Sequence, residues 1–146
     1  MYQKILAPID GSATSERALD EAIKFARQQN ACVQIVHVLE DIRYFDSENF
    51  LDYAELVHAM KCSGEKMLAQ AQTKLQQAGV KAEAKLLEAH GERVARIVTA
   101  EAKNNNMDLI IIGTHGRSGF SHVLLGSVAE GVVRTAHIPV LLIRCG

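Results

Sequence analysis

The chain has 146 residues, 48% of them apolar and 23% charged. That balance suits one compact domain and excludes a disordered or low-complexity protein. Sixteen Lys and Arg against seventeen Asp and Glu leave a formal charge of −1, so no global charge excess points to nucleic acid or to an anionic membrane. No apolar run approaches the ~18 residues of a spanning helix, and no signal peptide is expected at the N-terminus. Cys32, Cys62 and Cys145 are odd in number and form no C-x-x-C pair. A reducing, cytoplasmic setting is expected, with the thiols as small packing residues.

Residues 4–9 form a short apolar run ending in Asp10-Gly11-Ser12, which predicts a buried strand and a turn. Ala18, Leu19, Ala22, Ile23, Phe25 and Ala26 then fall at helical spacing within residues 15–29. Glu16 lies in the first turn of that helix, and Ser12 or Thr14 can cap it. Residues 32–39 are rich in β-branched side chains and predict a second strand. Residues 41–50 show no clear period. From 51 to 78, Val57, Met60, Gly64, Met67, Leu68, Ala71, Leu75 and Ala78 step by threes and fours along one helical face. Gly79 sits where a glycine stop belongs, and Gly64 marks a close contact or a break. Residues 80–88 predict a weaker third strand. Residues 92–103 predict a helix with Val94, Ile97, Val98 and Ala102 inward, ended by Asn104-Asn105-Asn106. Residues 109–112 are the most continuous apolar run, as in a strand covered on both faces. After a glycine-containing loop, residues 128–136 predict a last helix and 138–143 a last strand.

Strands alternating with helices imply an α/β fold, one doubly wound parallel sheet with helices on both faces. With five strands the favoured order is 3-2-1-4-5, reversing between the first and fourth. No internal repeat is present, and residues 1–146 read as a single domain.

In such sheets ligands bind beyond the carboxyl ends of the strands, at the reversal. That point falls between Asp10 and Gly113. The fourth strand is followed by GTHGRSGFSHVLLGSVAEG, with Gly113, Gly116, Gly119 and Gly126 within fourteen positions. Residues 114–125 make a connection much longer than the usual ~2–6 residues. It has no Asp or Glu and holds Arg117, His115 and His122. A glycine-rich loop leading to a helix N-terminus suits an anion, because free N–H groups, a favourable dipole and close backbone approach coincide. Ser127 adds a hydroxyl donor or a cap. Tight turns alone would also account for the glycines. Neither G-x-x-x-x-G-K-[ST] nor G-x-G-x-x-G is present.

The spacing Gly113-x2-Gly116-x9-Gly126-Ser127 resembles the nucleotide-binding signature of the ATP-binding branch of the universal stress proteins. The opening KILAPIDGSATSERAL and the tail GSVAEGVVRTAHIPVLLIR are similar to that family's first strand and turn and to its last helix and strand. The likeness runs the length of the chain and is weakest between residues 42 and 79. It implies an adenine nucleotide alpha-hydrolase-like fold and a role as an ATP-binding, nucleotide-occupancy switch in stress response or signalling. The ligand would be ATP, ADP or AMP, with Mg2+ carried on the phosphates. Pro8, Ile9 and Asp10 would border the adenosine, and Val38 would pack on the adenine. Ile112 and Gly113 would approach the ribose. Gly116, Gly126, Ser127 and Val128 would hold the phosphates, with His115 and Arg117 as further loop contacts. An unidentified signalling protein would read the occupied state.

The six histidines are read as forming no H-x-x-x-H pair and no other compact spacing with cysteine or acid partners, so no dedicated metal site is expected. His37 is expected to be a core or hydrogen-bonded histidine of the buried strand, and His90 before Gly91 to mark a turn. Asp10 reads as a catalytic acid, a metal ligand or a turn former before glycine, and its place at the reversal favours a binding role as much as the turn. No G-x-S-x-G elbow marks a nucleophile, so no catalytic residue is assigned. The alternative enzyme reading is a slow ATPase or phosphotransferase, for which Asp10 is the one well-placed carboxylate. A flavodoxin-like electron carrier is possible on topology, but the chain has no Trp and only 5% aromatics for stacking an isoalloxazine. The last strand, opening at Ile138 and ending at Ile143, is apolar although Pro139 suits an edge. Pairing that edge with a second copy would resolve the conflict, and the resemblance implies the same homodimer.

Overall fold

A computed structural model describes residues 1–41, 50–115 and 125–145, and only the backbone of residues 50–52. The elements are β1 (Lys4–Pro8), α1 (Ala13–Gln29), β2 (Cys32–Leu39), α2 (Phe50–Gln77), β3 (Ala82–Glu88), α3 (Val94–Asn104), β4 (Leu109–Gly113), α4 (Ser127–Thr135) and β5 (Val140–Ile143). The strands form one parallel sheet in the order β3-β2-β1-β4-β5, as the alternation of elements predicts.

Strand periodicity divides the core in two. Ile5, Ala7 and Ile9 pack with Leu19, Ala22, Leu68 and Leu75 of α1 and α2. Leu6 packs with Val98, Ala102 and Val132 of α3 and α4. In β4, Ile111 joins the first cluster, Ile110 and Ile112 the second. Burying each such side chain contributes about 1.5–3 kcal/mol, which explains why β4 lacks the polar alternation of a half-exposed strand.

The helix ends follow from local chemistry. Ser12, not Thr14, caps α1, its hydroxyl accepting the Ser15 N–H at 3.1 Å. Gly79 takes φ +80 after α2. There its N–H donates to Gln76 O (3.0 Å) and the Val80 N–H to Leu75 O (3.0 Å). This crossed pair satisfies the last carbonyls and buries Val80 on Leu75. Val80 thus belongs to the helix stop, and β3 begins at Ala82 rather than at 80. Asn106 supplies the left-handed residue after α3 (φ 54), so the Met107 N–H reaches Ala102 O at 2.9 Å. The last strand likewise starts at Val140, not 138.

Gly64 is a close contact and does not break α2. A Cβ there would lie 2.9 Å from His37 Cδ2 and 3.0 Å from Leu86 Cδ1. Gly131 plays the same part between α4 and α3, 2.5 Å from Ala95 Cβ by the same construction. Cys32 and Cys62 are exposed, which corrects the expectation that they serve as packing residues, and Cys145 near the C-terminus is exposed as well. Among the described residues no helix is long and apolar enough to cross a membrane.

Candidate functional site

Where the strand order reverses, β1 and β4 separate at their carboxyl ends, and the segments leaving them turn to opposite sides of the sheet. A crevice of about 410 Å3 opens there, within the size range of small-molecule sites. Its walls are the ends of β1, β2 and β4, Met60 of α2, Val94 and Val98 of α3, and the start of α4.

The β1 side is an interlocked turn. Asp10 Oδ1 accepts the Ser12 N–H at 2.9 Å, and Ser15 Oγ accepts the Asp10 N–H at 3.0 Å. Asp10 is therefore a turn former, and the residue also lines the crevice. Ser15 was not singled out from the sequence, although the D-G-S-x-x-S spacing places its hydroxyl one helical turn beyond the cap. His37 lines the same wall and donates from Nδ1 to the Ile9 carbonyl at 2.8 Å. That fixes the ring tautomer, with the donor on Nδ1 whenever the imidazole is neutral.

The β4 side is pinned at its root. Thr114 is 3% exposed, its N–H donates to Ile143 O (2.9 Å), and its carbonyl accepts the Gly126 N–H (2.6 Å). The loop after β4 therefore leaves and returns at one point. Thr114 Oγ1 also meets His115 Nδ1 at 3.0 Å. Gly113 owes its lack of a side chain to α1: a Cβ would stand 2.7 Å from Thr14 Cγ2 and 3.1 Å from Thr14 O. The same residue lines the crevice.

Gly126, not Ser127, is the N-cap of α4, with φ −70 and ψ 162. Ser127 is the exposed first helical residue. The Glu130 N–H donates to Gly126 O at 2.9 Å, so the N–H groups of Ser127, Val128 and Ala129 precede the helix's own ladder. A glycine cap offers no side-chain oxygen to satisfy them, and the helix dipole adds partial positive charge at this end. The arrangement provides an apolar slot from Val36, Val38 and Ile112 beside amide donors suited to an anion.

Of the sequence-derived candidates, Pro8, Ile9, Asp10, Val38, Ile112, Gly113, His115, Gly126, Ser127 and Val128 all line this crevice. Gly116 and Arg117 lie outside the described residues. A larger hollow of about 700 Å3 opens at the opposite pole, around Lys4, Cys32 and Lys81. It contains none of the candidates and sits at the amino ends of the strands, away from the usual ligand edge.

One side-chain pair contradicts the reading of the histidines. His58 and Cys62 are spaced H-x3-C on α2, and His58 Nε2 lies 3.5 Å from Cys62 Sγ. Counting spacings between histidine and cysteine along predicted helices, as well as between histidines, finds it. Among the described residues no group of three or more potential ligands converges.

The family model described as "Universal stress protein family" matches residues 1–144. The universal stress protein YxiE of Bacillus subtilis is 36% identical over 154 residues, spanning 99% of this chain and 100% of its own length. The solved universal stress protein of Archaeoglobus fulgidus in complex with dAMP is 25% identical, with a TM-score of 0.68 over 97% of this chain and 98% of its own. A further solved structure, a universal stress protein in complex with cAMP, is 27% identical, with a TM-score of 0.67 over 98% and 97%.

Proposed function

The chain belongs to the universal stress protein family, and we propose that it binds an adenine nucleotide in the crevice between Asp10 and Gly126. The observation that carries this reading is the juxtaposition of an apolar slot with the unladdered N–H groups of Ser127, Val128 and Ala129. An adenine ring is a flat apolar body with polar edges, and a phosphate is an anion that helix N-termini favour. Two family members are solved with dAMP and cAMP, and both ligands share that pairing of base and phosphate.

Within this proposal, Val38 packs on the base, Pro8, Ile9 and Asp10 border the adenosine, and the start of α4 faces the phosphates. ATP is the proposed physiological ligand. Magnesium prefers oxygen ligands and keeps several waters, which suits an ion carried on phosphates beside the carboxylates of Asp10 and Glu40. Occupancy is the proposed output: the pinned root at Thr114 and Gly126 passes the presence of phosphate into the surface shown to a signalling partner. The edge strand β5 is proposed to pair with a second copy, an arrangement supported by exposed Leu141 on that edge.

The test is thermal melting and calorimetry with AMP, ADP and ATP, each with and without magnesium. Binding at 100 times Kd raises stability by about 2.7 kcal/mol, and Gly126→Val is expected to remove the rise. Absence of heat and of a melting shift with every adenine nucleotide at millimolar concentration overturns the reading. Steady-state phosphate release, with Asp10→Ala and His115→Ala as comparisons, separates occupancy from slow hydrolysis.

A further inference from the structure

We propose that His58 and Cys62 form half of a zinc site on the outer face of α2, completed by the same pair from a second copy of the chain. The inference is independent of the nucleotide crevice.

Residues four apart on a helix point the same way, and two ligands at that spacing are a recurrent way for one helix to grip zinc. The distance fits as well. Zinc bonds of ~2.3 Å to sulfur and ~2.0–2.1 Å to nitrogen, at a tetrahedral angle, hold the two ligand atoms about 3.5–3.6 Å apart. His58 Nε2 and Cys62 Sγ are 3.5 Å apart, the separation that such a pair of zinc bonds spans. Both residues are exposed. Lys61, between them in sequence, places its ammonium 3.0 Å from Glu88 Oε1. Glu55 and Glu65 lie one turn away on either side of the same helix and are exposed, as are Lys61 and Lys66, so the nearby charges balance.

Imidazole with thiolate is a donor set that selects zinc over magnesium or calcium. Two ligands leave a tetrahedral ion half filled. Among the described residues no third His, Cys, Asp or Glu joins the pair. A twofold-related copy supplies the missing imidazole and thiolate and gives a closed Cys2His2 set.

The experiment is sedimentation equilibrium of the full chain with and without zinc chloride, together with metal analysis of the gel-filtered product. Zinc is expected to double the assembled mass, at one ion per two chains. Cys62→Ser and His58→Ala are each expected to abolish the doubling while melting like the parent, because both sites are exposed. A Cys32→Ser, Cys145→Ser double variant is expected to retain it. An unchanged mass, one zinc per chain, or a doubling that survives in Cys62→Ser or His58→Ala overturns the proposal.

Discussion

A Cβ on Gly113 would stand 2.7 Å from the Thr14 methyl and 3.1 Å from the Thr14 carbonyl, so the end of β4 and the first turn of α1 meet with no room for a side chain. The family-like glycine there is a packing requirement before it is a ligand requirement. Gly113→Ala is expected to destabilise the nucleotide-free protein by about 1–3 kcal/mol, the range for overpacking. Thr14→Ser, which deletes the methyl but leaves the carbonyl, is expected to restore part of that loss. Urea melts of the two single variants and the double variant measure the coupling. Additive effects would mean that the two residues do not meet.

The same logic applies to the buried acid of α3. Glu101 is 8% exposed, and its Oε2 accepts from Gln34 Nε2 at 2.6 Å and lies 3.1 Å from Lys85 Nζ. Glu101→Ala strands a buried amide, which costs about 1–3 kcal/mol. Neither Glu101 nor Gln34 lines the crevice. The variant should therefore melt lower by several degrees yet keep its nucleotide affinity, as calorimetry can establish.

Lys74 ties α2 to α1 through Asp20 Oδ1 (2.5 Å) and Glu16 Oε2 (3.6 Å). The hydrogen bond to Asp20, ahead of the opposing cost of burial, raises its pKa above 10.5. A raised cation pKa contributes stability that is complete below the unfolded value and lost as pH climbs through the folded one. Because the group is largely in solvent, the contribution is about 0.2–1 kcal/mol. Lys74→Gln is expected to lose that amount at pH 7. The gap from the parent should close in strong alkali and shrink in high salt. A gap that widens with pH would contradict the assignment.

Topology was readable because its determinants are local and repetitive. The continuous apolar run of β4, the stepped face of α2 and the stop at Gly79 each leave a pattern in the residues around them. The crevice was readable for a different reason: parallel sheets with this strand order leave one gap at the carboxyl edge, and ten candidates converge on it. What sequence spacing missed depends on contacts between distant segments. Nothing near Gly113 announces Thr14, and nothing near Gly64 announces His37. Ser127 reads as a hydroxyl donor or a cap, and the cap falls one residue earlier, at Gly126. Cys32 and Cys62 read as packing residues from the usual burial of cysteine, whereas the strand start and helix face that carry them are exposed.

The β5 edge offers a test of self-association. Leu141 is 37% exposed on the last strand of the sheet, an apolar side chain where natural edges carry charge. Leu141→Lys is expected to leave the fold intact, since the site is already exposed, and to lower the assembled mass in metal-free buffer. An unchanged mass would place any self-association elsewhere on the surface. This readout is separate from the zinc experiment because chelator is present throughout.

Ser127 gives the sharpest test of the crevice, because one substitution should act with opposite signs on fold and ligand. It is the exposed first residue of α4, at the positive end of the helix dipole. An acid at that position favours the helix by about 0.3–1 kcal/mol. The same negative charge repels a phosphate brought to the neighbouring N–H groups. Ser127→Asp is therefore expected to melt at or slightly above the parent without ligand, and to bind ATP at least tenfold more weakly. Ser127→Ala, which loses only the hydroxyl, should fall between the two in affinity. Adenosine, which lacks phosphate, should bind parent and Ser127→Asp alike. If Ser127→Asp weakened adenosine and ATP equally, the phosphates would not sit at this helix end, and the nucleotide would have to enter the crevice in another orientation.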